Sequence, residues 1–206
     1  CPAPGPVRFW QKEMTTRSTQ KSGAALARGV SAAITQAVAP TLETERLILR
    51  PHGMQDFEDL ATVLATPHAR FMGGPKTRDE TWLSFCSDIA QWPLLGHGAW
   101  AVDQRDTGDF IGQISIIQQP NFPEVEIGWI FLPQVQGNGF AQEAASAALT
   151  FAFASLGLAT LVSYIDAKNT RSIRLAVRLG AAPDPAAALP YPENIVYRHP
   201  HPEARQ

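Results

Sequence analysis

The chain has 206 residues, enough for one domain whose core needs neither disulfides nor a structural metal. Its 17 basic and 19 acidic side chains give a net charge of −2, which points to neither nucleic acid nor an anionic membrane as a partner. The chain holds two cysteines, one of them at position 1, so we expect no disulfide framework and a cytoplasmic location. No apolar stretch reaches the roughly 18 residues that cross a bilayer.

Residues 1–40 differ in composition from the rest of the chain. They contain five basic residues but a single acid, Glu13, among small and polar side chains. This composition predicts a flexible extension or an expression leader, and a transit peptide remains an alternative because such peptides are also rich in arginine and poor in acids. We expect one compact domain at 41–200 and a short tail at 201–206.

Hydrophobic periodicity divides that domain into alternating strands and helices. Alternating apolar residues predict strands, helical spacing predicts helices, and Gly or Pro marks the ends of several elements. The predicted strands are 42–50, 99–102, 110–117, 125–132, 160–165 and 195–198, and the predicted helices are 56–65, 78–91, 139–156 and 169–179. The order predicts an α/β mixture (α+β) in which antiparallel hairpins precede one parallel strand-helix-strand crossover.

The segment 126–144, EIGWIFLPQVQGNGFAQEA, carries the clearest chemical signal. An apolar strand stops at Pro133, and a turn with Gly137 and Gly139 leads directly into an alanine-rich helix. The first N–H groups of a helix lack intrahelical partners and lie at the positive end of the helix dipole, so this order predicts an anion site. A Rossmann site needs a third glycine and a P-loop needs Gly-Lys-Ser/Thr, which leaves a nucleotide-binding protein as a remote alternative.

Several motifs in this order resemble the GNAT acetyltransferase superfamily. Gln134, Gly137 and Gly139 match its pyrophosphate loop, Gln/Arg-x-x-Gly-x-Gly/Ala. LETERLILRP, FIGQISI ahead of EIGW, and NTRSIRLAVRLG are similar to the branch of ribosomal-protein N-terminal alanine acetyltransferases. The resemblance implies the GNAT fold at 41–200, a mixed and mostly antiparallel central sheet flanked by helices, with its parallel crossover at the cofactor site.

The same resemblance implies acetyl-CoA as the cosubstrate. The main chain of the glycine turn and the helix start would hold the pyrophosphate, through Gln136, Gly137, Asn138, Gly139, Phe140 and Ala141. The strand residues Trp129, Ile130 and Phe131 would pair with the pantetheine arm, where this strand and the next one splay apart. Gln136 stands where many members have Arg, so one charged phosphate contact is lost.

Asn169 and Ser172 match the family's Asn-x-x-Ser at the start of the following helix. The resemblance implies that the Asn169 amide contacts the cofactor arm and leaves Ser172 ambiguous. On spacing alone both residues are also ordinary N-terminal helix caps.

Two residues are candidates for the chemistry of the acetyl transfer. Glu126 starts the strand that would hold the thioester and corresponds to a glutamate that acts as base in some members, although a structural carboxylate is the alternative and Glu124 is its competitor. Tyr191 is a candidate acid for the departing thiolate, and this assignment stays open. A backbone N–H of Ile130 or Phe131 would stabilise the oxyanion.

The remaining aromatic and titratable residues are expected to have structural roles or to lie in solvent. Trp100 and Trp129 suit core packing, and His97 between two glycines is expected to be a solvated loop histidine. No His or Cys spacing is typical of a metal site, so we expect no metal.

The chain is thus interpreted as an N-acetyltransferase acting on a primary amine, a protein N-terminus or a small molecule, by direct attack in a ternary complex, as a monomer or homodimer. A noncatalytic CoA-binding regulatory module is the alternative.

Overall fold

A computed structural model describes residues 39–202 of the chain. The predicted extension at 1–40 and tail at 201–206 therefore lie mostly outside the described residues, and both stay predictions. The described strands are β1 Leu42–Glu43, β2 Leu47–Pro51, β3 Ala99–Gln104, β4 Phe110–Ile117, β5 Glu126–Phe131, β6 Thr160–Asp166, β7 Ala182–Pro183 and β8 Asn194–Pro200. The α-helices are α1 Asp56–Leu64, α2 Arg78–Leu95, α3 Phe140–Ala154 and α4 Thr170–Arg178, and short 3₁₀-helices occupy Pro67–Phe71 and Pro133–Val135.

The eight strands form one open sheet in the order β1-β2-β3-β4-β5-β6-β8-β7. Every neighbouring pair is antiparallel except β5 and β6, which are parallel and are joined through α3. The β5–β6 pairing has a single register pair, Glu126 with Val162, whereas β6 and β8 pair along seven residues. The predicted mixed sheet with one parallel crossover is confirmed, and its two parallel strands separate almost as soon as they meet.

Three features of the structure depart from the predicted elements by more than one or two residues at an end. The predicted strand 42–50 is two strands, because a turn closed by Thr44 N–H donating to Leu47 O (3.0 Å) reverses the chain. Helix α2 continues past Pro93 to Leu95 and ends at Gly96, whose φ of 78° suits a glycine cap. The two-residue strand β7 was missed, since so short a segment carries no periodicity.

The core lies on both faces of the sheet. One face packs against α3 and includes Trp100, Ile114 and Ile127, while the other packs Phe57 and Phe85 of α1 and α2. Side chains alternate along a strand, so Ile127, Trp129 and Phe131 of β5 share the α3 face. Ile130 packs with the α1–α2 cluster, and Glu126 and Gly128 lie on its side of the sheet.

Within residues 39–202, no helix is both long enough and apolar enough to cross a bilayer.

Candidate functional site

The glycine turn ahead of α3 adopts a backbone that favours glycine. Gly137 has φ 89° and Gly139 has φ 81°, both in the left-handed region. Gly139 is the N-cap of α3, no side chain caps the helix, and the N–H groups of Gln142 and Glu143 both donate to the Gly139 carbonyl at 3.1 Å. The turn therefore presents an uncapped helix N-terminus, which is the geometry of an anion site.

Arg46 fixes this turn to the start of the sheet. Its Nη1 donates to the Asn138 carbonyl at 3.0 Å, its Nε donates to Glu143 Oε2 at 2.7 Å, and its guanidinium lies 4.7 Å from the centre of the Phe140 ring. Burial raises the pKa of Glu143, but hydrogen bonds from Thr44 and Arg46 outweigh it and keep that pKa below its usual value. This contact leaves no pattern in the sequence, since Arg46 and Glu143 are 97 residues apart.

A cavity of about 900 Å³ opens beside the turn, between β5, α3, α4 and the 3₁₀-helix Pro67–Phe71. Among the described residues that line it there are five cations and no carboxylate, the cations being Arg70, Lys168, Arg171, Arg174 and Arg178. Such a charge balance suits a polyanion. Sequence reasoning missed these residues, although the spacing of Arg171, Arg174 and Arg178 on one helix was a usable signal.

Both the nitrogen and the oxygen of the Gln136 side-chain amide form hydrogen bonds. Its Nε2 donates to the Phe131 carbonyl at 3.3 Å and lies 3.0 Å from His68 Nε2. Its Oε1 accepts a hydrogen bond from Arg171 Nη1 of α4. Many members of the family that the sequence resembles have an arginine at this position. Here Arg171 brings a cation close to the same place.

Most residues predicted to bind the cofactor border the cavity. Those that line it are Trp129, Ile130, Phe131, Gln136, Gly137, Gly139, Phe140, Ala141, Asn169 and Ser172. Gln134 and Asn138 are exposed and are not part of the lining. Contact of each of these residues with the cofactor stays a prediction.

Asn169 caps α4 in this structure. Its Oδ1 accepts from Ser172 N–H at 3.3 Å, and its Nδ2 donates to Ser172 Oγ at 3.0 Å. Trp129 Nε1 also donates to Ser172 Oγ, at 3.1 Å, so the hydroxyl links β5 to α4 at the wall of the cavity. The capping interpretation is thus satisfied, and both side chains remain within reach of a ligand in the cavity.

Glu126 lies where β5 and β6 separate. Val162 N–H donates to Val125 O at 3.1 Å, and two residues later Tyr164 N–H donates to Glu126 Oε1, also at 3.1 Å. Glu126 is half-buried, and burial raises its pKa to about 8, with the neighbouring Asp88 adding to the rise and the Tyr164 N–H opposing it. A carboxyl with such a pKa is matched to accepting a proton near neutral pH.

Asp88 of α2 is a second carboxyl with a raised pKa on this side of the sheet. It accepts hydrogen bonds from Gln113 Nε2 at 3.1 Å and Gln119 Nε2 at 3.2 Å, while burial raises its pKa to about 6. Neither Asp88 nor Glu126 lines the cationic cavity. The structure thus separates a cationic cavity from a carboxylate pair, and sequence reasoning missed Asp88 because nothing marks it on its helix.

Glu124, the predicted competitor of Glu126, is held in ion pairs. Both its oxygens accept from Arg198, at 2.7 and 2.8 Å, and Arg198 also bonds Asp184 at 2.6 Å. Arg198 keeps the pKa of Glu124 below its usual value. Glu124 therefore has a structural partner, whereas Glu126 has no ion pair within the described residues.

Tyr191 lies in the connection between β7 and β8. Its side chain is exposed, and its hydroxyl accepts from Asn121 Nδ2 at 3.0 Å. It does not line the cavity, so its role as the acid stays a prediction that requires movement of this connection.

His97 is not the solvated loop histidine that we expected. It is buried, and its Nδ1 lies 2.8 Å from the Ile116 carbonyl. The reason is that α2 runs on to Leu95, so that His97 lies in a short link between α2 and β3. Trp100 is fully buried in the core, as predicted, whereas Trp129 is only partly buried and borders the cavity.

Comparison with known proteins decides the family. The family model of the acetyltransferase (GNAT) domain matches residues 46–182. This chain belongs to the GNAT acetyltransferase family. It is accordingly an acetyltransferase of the N-acetyltransferase class, and acetyl-CoA is the donor that this family uses.

Individual GNAT relatives agree with this assignment. The structure of an acetyltransferase from Agrobacterium tumefaciens str. C58 has a TM-score of 0.76 and is 46% identical, covering 78% of this chain and 94% of that one. The uncharacterized N-acetyltransferase YoaA of Bacillus subtilis (strain 168) is 30% identical over 145 residues, 68% of this chain and 82% of YoaA. The uncharacterized protein YkkB of that organism is 38% identical over 87 residues, 41% of this chain, which spans only about half of YkkB (51%). The ribosomal-protein branch of the GNAT family stays a prediction.

Proposed function

We propose that this GNAT enzyme transfers the acetyl group of acetyl-CoA to a primary amine, by direct attack of the amine within a ternary complex. The acceptor is a protein N-terminus or a small-molecule amine. The observation that carries the proposal is Glu126, a carboxyl with a pKa raised to about 8, at the point where β5 and β6 separate.

The donor half of the site is the cationic cavity. Acetyl-CoA carries several negative charges, and the five cations and the uncapped start of α3 would neutralise its phosphates. The glycines at 137 and 139 let the main chain approach the pyrophosphate. The β5 residues that border the cavity, Trp129 to Phe131, would bond the pantetheine arm in the gap that β6 leaves.

The acceptor half requires a neutral amine. An alkylammonium is largely protonated at neutral pH, so a base must remove one proton before the nitrogen attacks the thioester carbon. Glu126 is suited to this step because its ionised form is disfavoured by burial, which makes it a stronger base than an exposed carboxylate. The C–N bond then forms and the C–S bond breaks, the nitrogen loses its second proton, and a proton converts the departing thiolate into the thiol of CoA.

The test is CoA release with a panel of amines, namely an alanine-initiated peptide, spermidine, lysine and butylamine. We expect turnover with at least one amine, and a decrease of about 10²–10⁴-fold in Glu126→Gln with unchanged acetyl-CoA affinity. Glu124→Gln is the matched control, since it removes the same charge two residues away but from an ion pair with Arg198.

The outcomes of this test are distinct. A loss of activity in Glu124→Gln equal to that in Glu126→Gln would assign the effect to general disturbance of the strand and remove Glu126 as the base. Tight acetyl-CoA binding with no turnover on any amine would support the noncatalytic CoA-binding module instead. The cytoplasmic location and the monomeric or homodimeric state are predictions from the sequence.

A further inference from the structure

The carbonyl of Phe131 points to the edge of β5 from which β6 has separated. On the other edge, Leu132 N–H donates to the Ile111 carbonyl of β4 at 2.9 Å. Successive residues of an antiparallel strand turn their backbone groups to opposite edges, so the Phe131 carbonyl faces away from β4. The register of β5 with β6 consists of Glu126 with Val162, well before Phe131. The donor to this carbonyl therefore comes from a side chain.

The Gln136 side chain supplies that donor. Its Nε2 donates to the Phe131 carbonyl at 3.3 Å and lies 3.0 Å from His68 Nε2, and its Oε1 accepts from Arg171 Nη1. A carbonyl only accepts and a guanidinium only donates, so these contacts fix which end of the amide faces which partner. All four residues line the cationic cavity. The Gln136 amide thus connects the end of β5, the 3₁₀-helix Pro67–Phe71 and α4 at this cavity.

The two ends of the amide make contacts that the proposed donor would need. An amide N–H of the pantetheine arm would donate to a free carbonyl at the strand edge, as a peptide does when it adds to a sheet. A phosphate oxygen would accept from the Arg171 guanidinium, and such charged hydrogen bonds are roughly twice as strong as neutral ones. The Gln136 side chain therefore occupies a place for an amide donor and a place for an anion, the latter with a weaker acceptor than phosphate.

The glycine turn has another support besides the Gln136 side chain. Arg46 bonds both the Asn138 carbonyl and the Glu143 carboxylate, which fixes the turn to the sheet. The Gln136 side chain is only half-buried, and its contacts are made at the cavity wall. A brace at Gln136 would duplicate Arg46, so its contacts with the cavity wall bear on ligand binding.

We propose that the Gln136 side chain is an autoinhibitory contact, which occupies the Phe131 carbonyl and the Arg171 guanidinium until acetyl-CoA displaces it. This inference rests on the proposed function, since it takes acetyl-CoA as the ligand of the cavity, and it adds a determinant of how fast the donor binds.

The kinetics of such a contact follow from the speed of side-chain motion. Side-chain rotamers exchange within nanoseconds, much faster than a ligand arrives, so only the fraction of molecules with a displaced Gln136 binds the donor. That fraction lowers the association rate constant. The dissociation rate constant is unaffected, because in the complex Gln136 makes neither contact.

The test is stopped-flow binding of CoA, which needs no chemistry. It is followed by the tryptophan fluorescence of the protein, since Trp129 borders the cavity. We expect Gln136→Ala to raise the association rate constant about tenfold, as release of one or two hydrogen bonds would, and to lower the Kd by the same factor. The dissociation rate constant should stay unchanged, whereas loss of a direct contact between Gln136 and CoA would raise it.

Gln136→Glu keeps the size of the side chain and should have the opposite effect. A carboxylate cannot donate to the Phe131 carbonyl, but it forms a charged pair with Arg171 that a phosphate must break. We expect slower association of CoA than in the wild type at low salt, and a smaller difference at high salt because exposed charges are screened.

Gln142→Ala is the matched control. Gln142 also lines the cavity, and its Oε1 accepts from Arg178 Nε of α4 at 3.2 Å. This variant frees an arginine of the cavity and leaves the Phe131 carbonyl with its donor. Its association rate constant should equal that of the wild type. Both alanine variants should melt close to the wild type, because each removes a partly exposed side chain.

Three results would overturn the inference. They are an unchanged association rate constant in Gln136→Ala, an equal acceleration in Gln142→Ala, and faster dissociation of CoA from Gln136→Ala. Acetyl transfer is assayed separately with the amine panel. CoA binding with the expected rates but no transfer to any amine would overturn the proposed function alone, and transfer without a change of association in Gln136→Ala would overturn the autoinhibitory contact alone.

Discussion

The Ser163 hydroxyl donates to the carbonyl oxygen of Ile127 at 2.8 Å, from β6 across to β5. In a continuous parallel ladder this carbonyl would accept the N–H of Tyr164, the next donor after Val162. Here the Tyr164 N–H donates to Glu126 Oε1 instead. Two side-chain hydrogen bonds therefore replace one backbone hydrogen bond of the ladder, at the point where β5 and β6 separate.

Ser163 is buried, and His199 Nε2 lies 3.1 Å from its hydroxyl. This contact from β8 supports the hydroxyl on the side away from β5. The geometry implies that the separation of β5 and β6 is set by side chains as well as by strand twist, and that the same contacts orient Glu126.

Replacing Ser163 by Ala should narrow the gap between β5 and β6. The Ile127 carbonyl would lose its donor, and the nearest replacement is the Tyr164 N–H, which would then leave Glu126. We expect acetyl-CoA affinity to fall about tenfold, measured by calorimetry, and slower amide exchange at Tyr164. Thr160→Val on the same strand should change neither quantity, and Ser163→Thr, which keeps the hydroxyl, should retain most of the affinity. Wild-type affinity in Ser163→Ala would show that strand twist alone holds the cleft open.

Glu126 should also make stability depend on pH. Its pKa is about 8 in the folded protein and 4.5 ordinarily, so the folded state holds the proton more tightly. The contribution of the protonated Glu126 carboxyl to the free energy of unfolding is complete below about pH 4.5 and is lost as the pH rises through 8. Melting temperatures of the wild type and Glu126→Gln should therefore match near pH 5 and differ at pH 9, where the variant should be the more stable protein. Parallel melting curves across this range would contradict the raised pKa.

The glycine turn offers a matched pair of substitutions. Gly137 and Gly108 have φ 89° and 74°, and a Cβ at either position would meet no atom within 4 Å. Alanine at each should therefore cost a similar backbone strain of about 1–2 kcal/mol in stability. Only Gly137→Ala should weaken acetyl-CoA binding, because Gly108 lies in the β3–β4 turn away from the cavity. Equal acetyl-CoA affinities in the two variants would remove the turn from the binding site.

The donor side of the fold was predictable because its determinants are local in sequence. The strand, glycine turn and helix of segment 126–144 encode their own conformation, and Gly137 and Gly139 are needed for backbone reasons that sequence spacing reveals. The candidate Glu126 also came from this segment, and its role as the base stays a prediction. The antiparallel hairpins and the single parallel crossover followed from the order of the predicted elements.

The rest depended on contacts between distant segments. Asp88 joins Gln113 across 25 residues, and Ser163 meets Ile127 across 36, so neither pairing leaves a sequence pattern. His97 was misjudged because flanking glycines predicted a loop, whereas the extended α2 buries it.

Arg171 should replace the charge that Gln136 cannot provide. Its guanidinium donates to the Gln136 amide at the wall of the cavity, where a phosphate would compete for the same donors. We expect Arg171→Ala to weaken acetyl-CoA binding about tenfold at low salt and less at high salt, because exposed charges are screened. Arg105→Ala, which removes an exposed cation paired with Glu43, is the control and should leave the affinity unchanged. The double variant Gln136→Arg/Arg171→Ala should recover part of the loss, since a cation then returns to the family's usual position. No recovery, together with an equal loss at all salt concentrations, would mean that Arg171 acts by packing and not by charge.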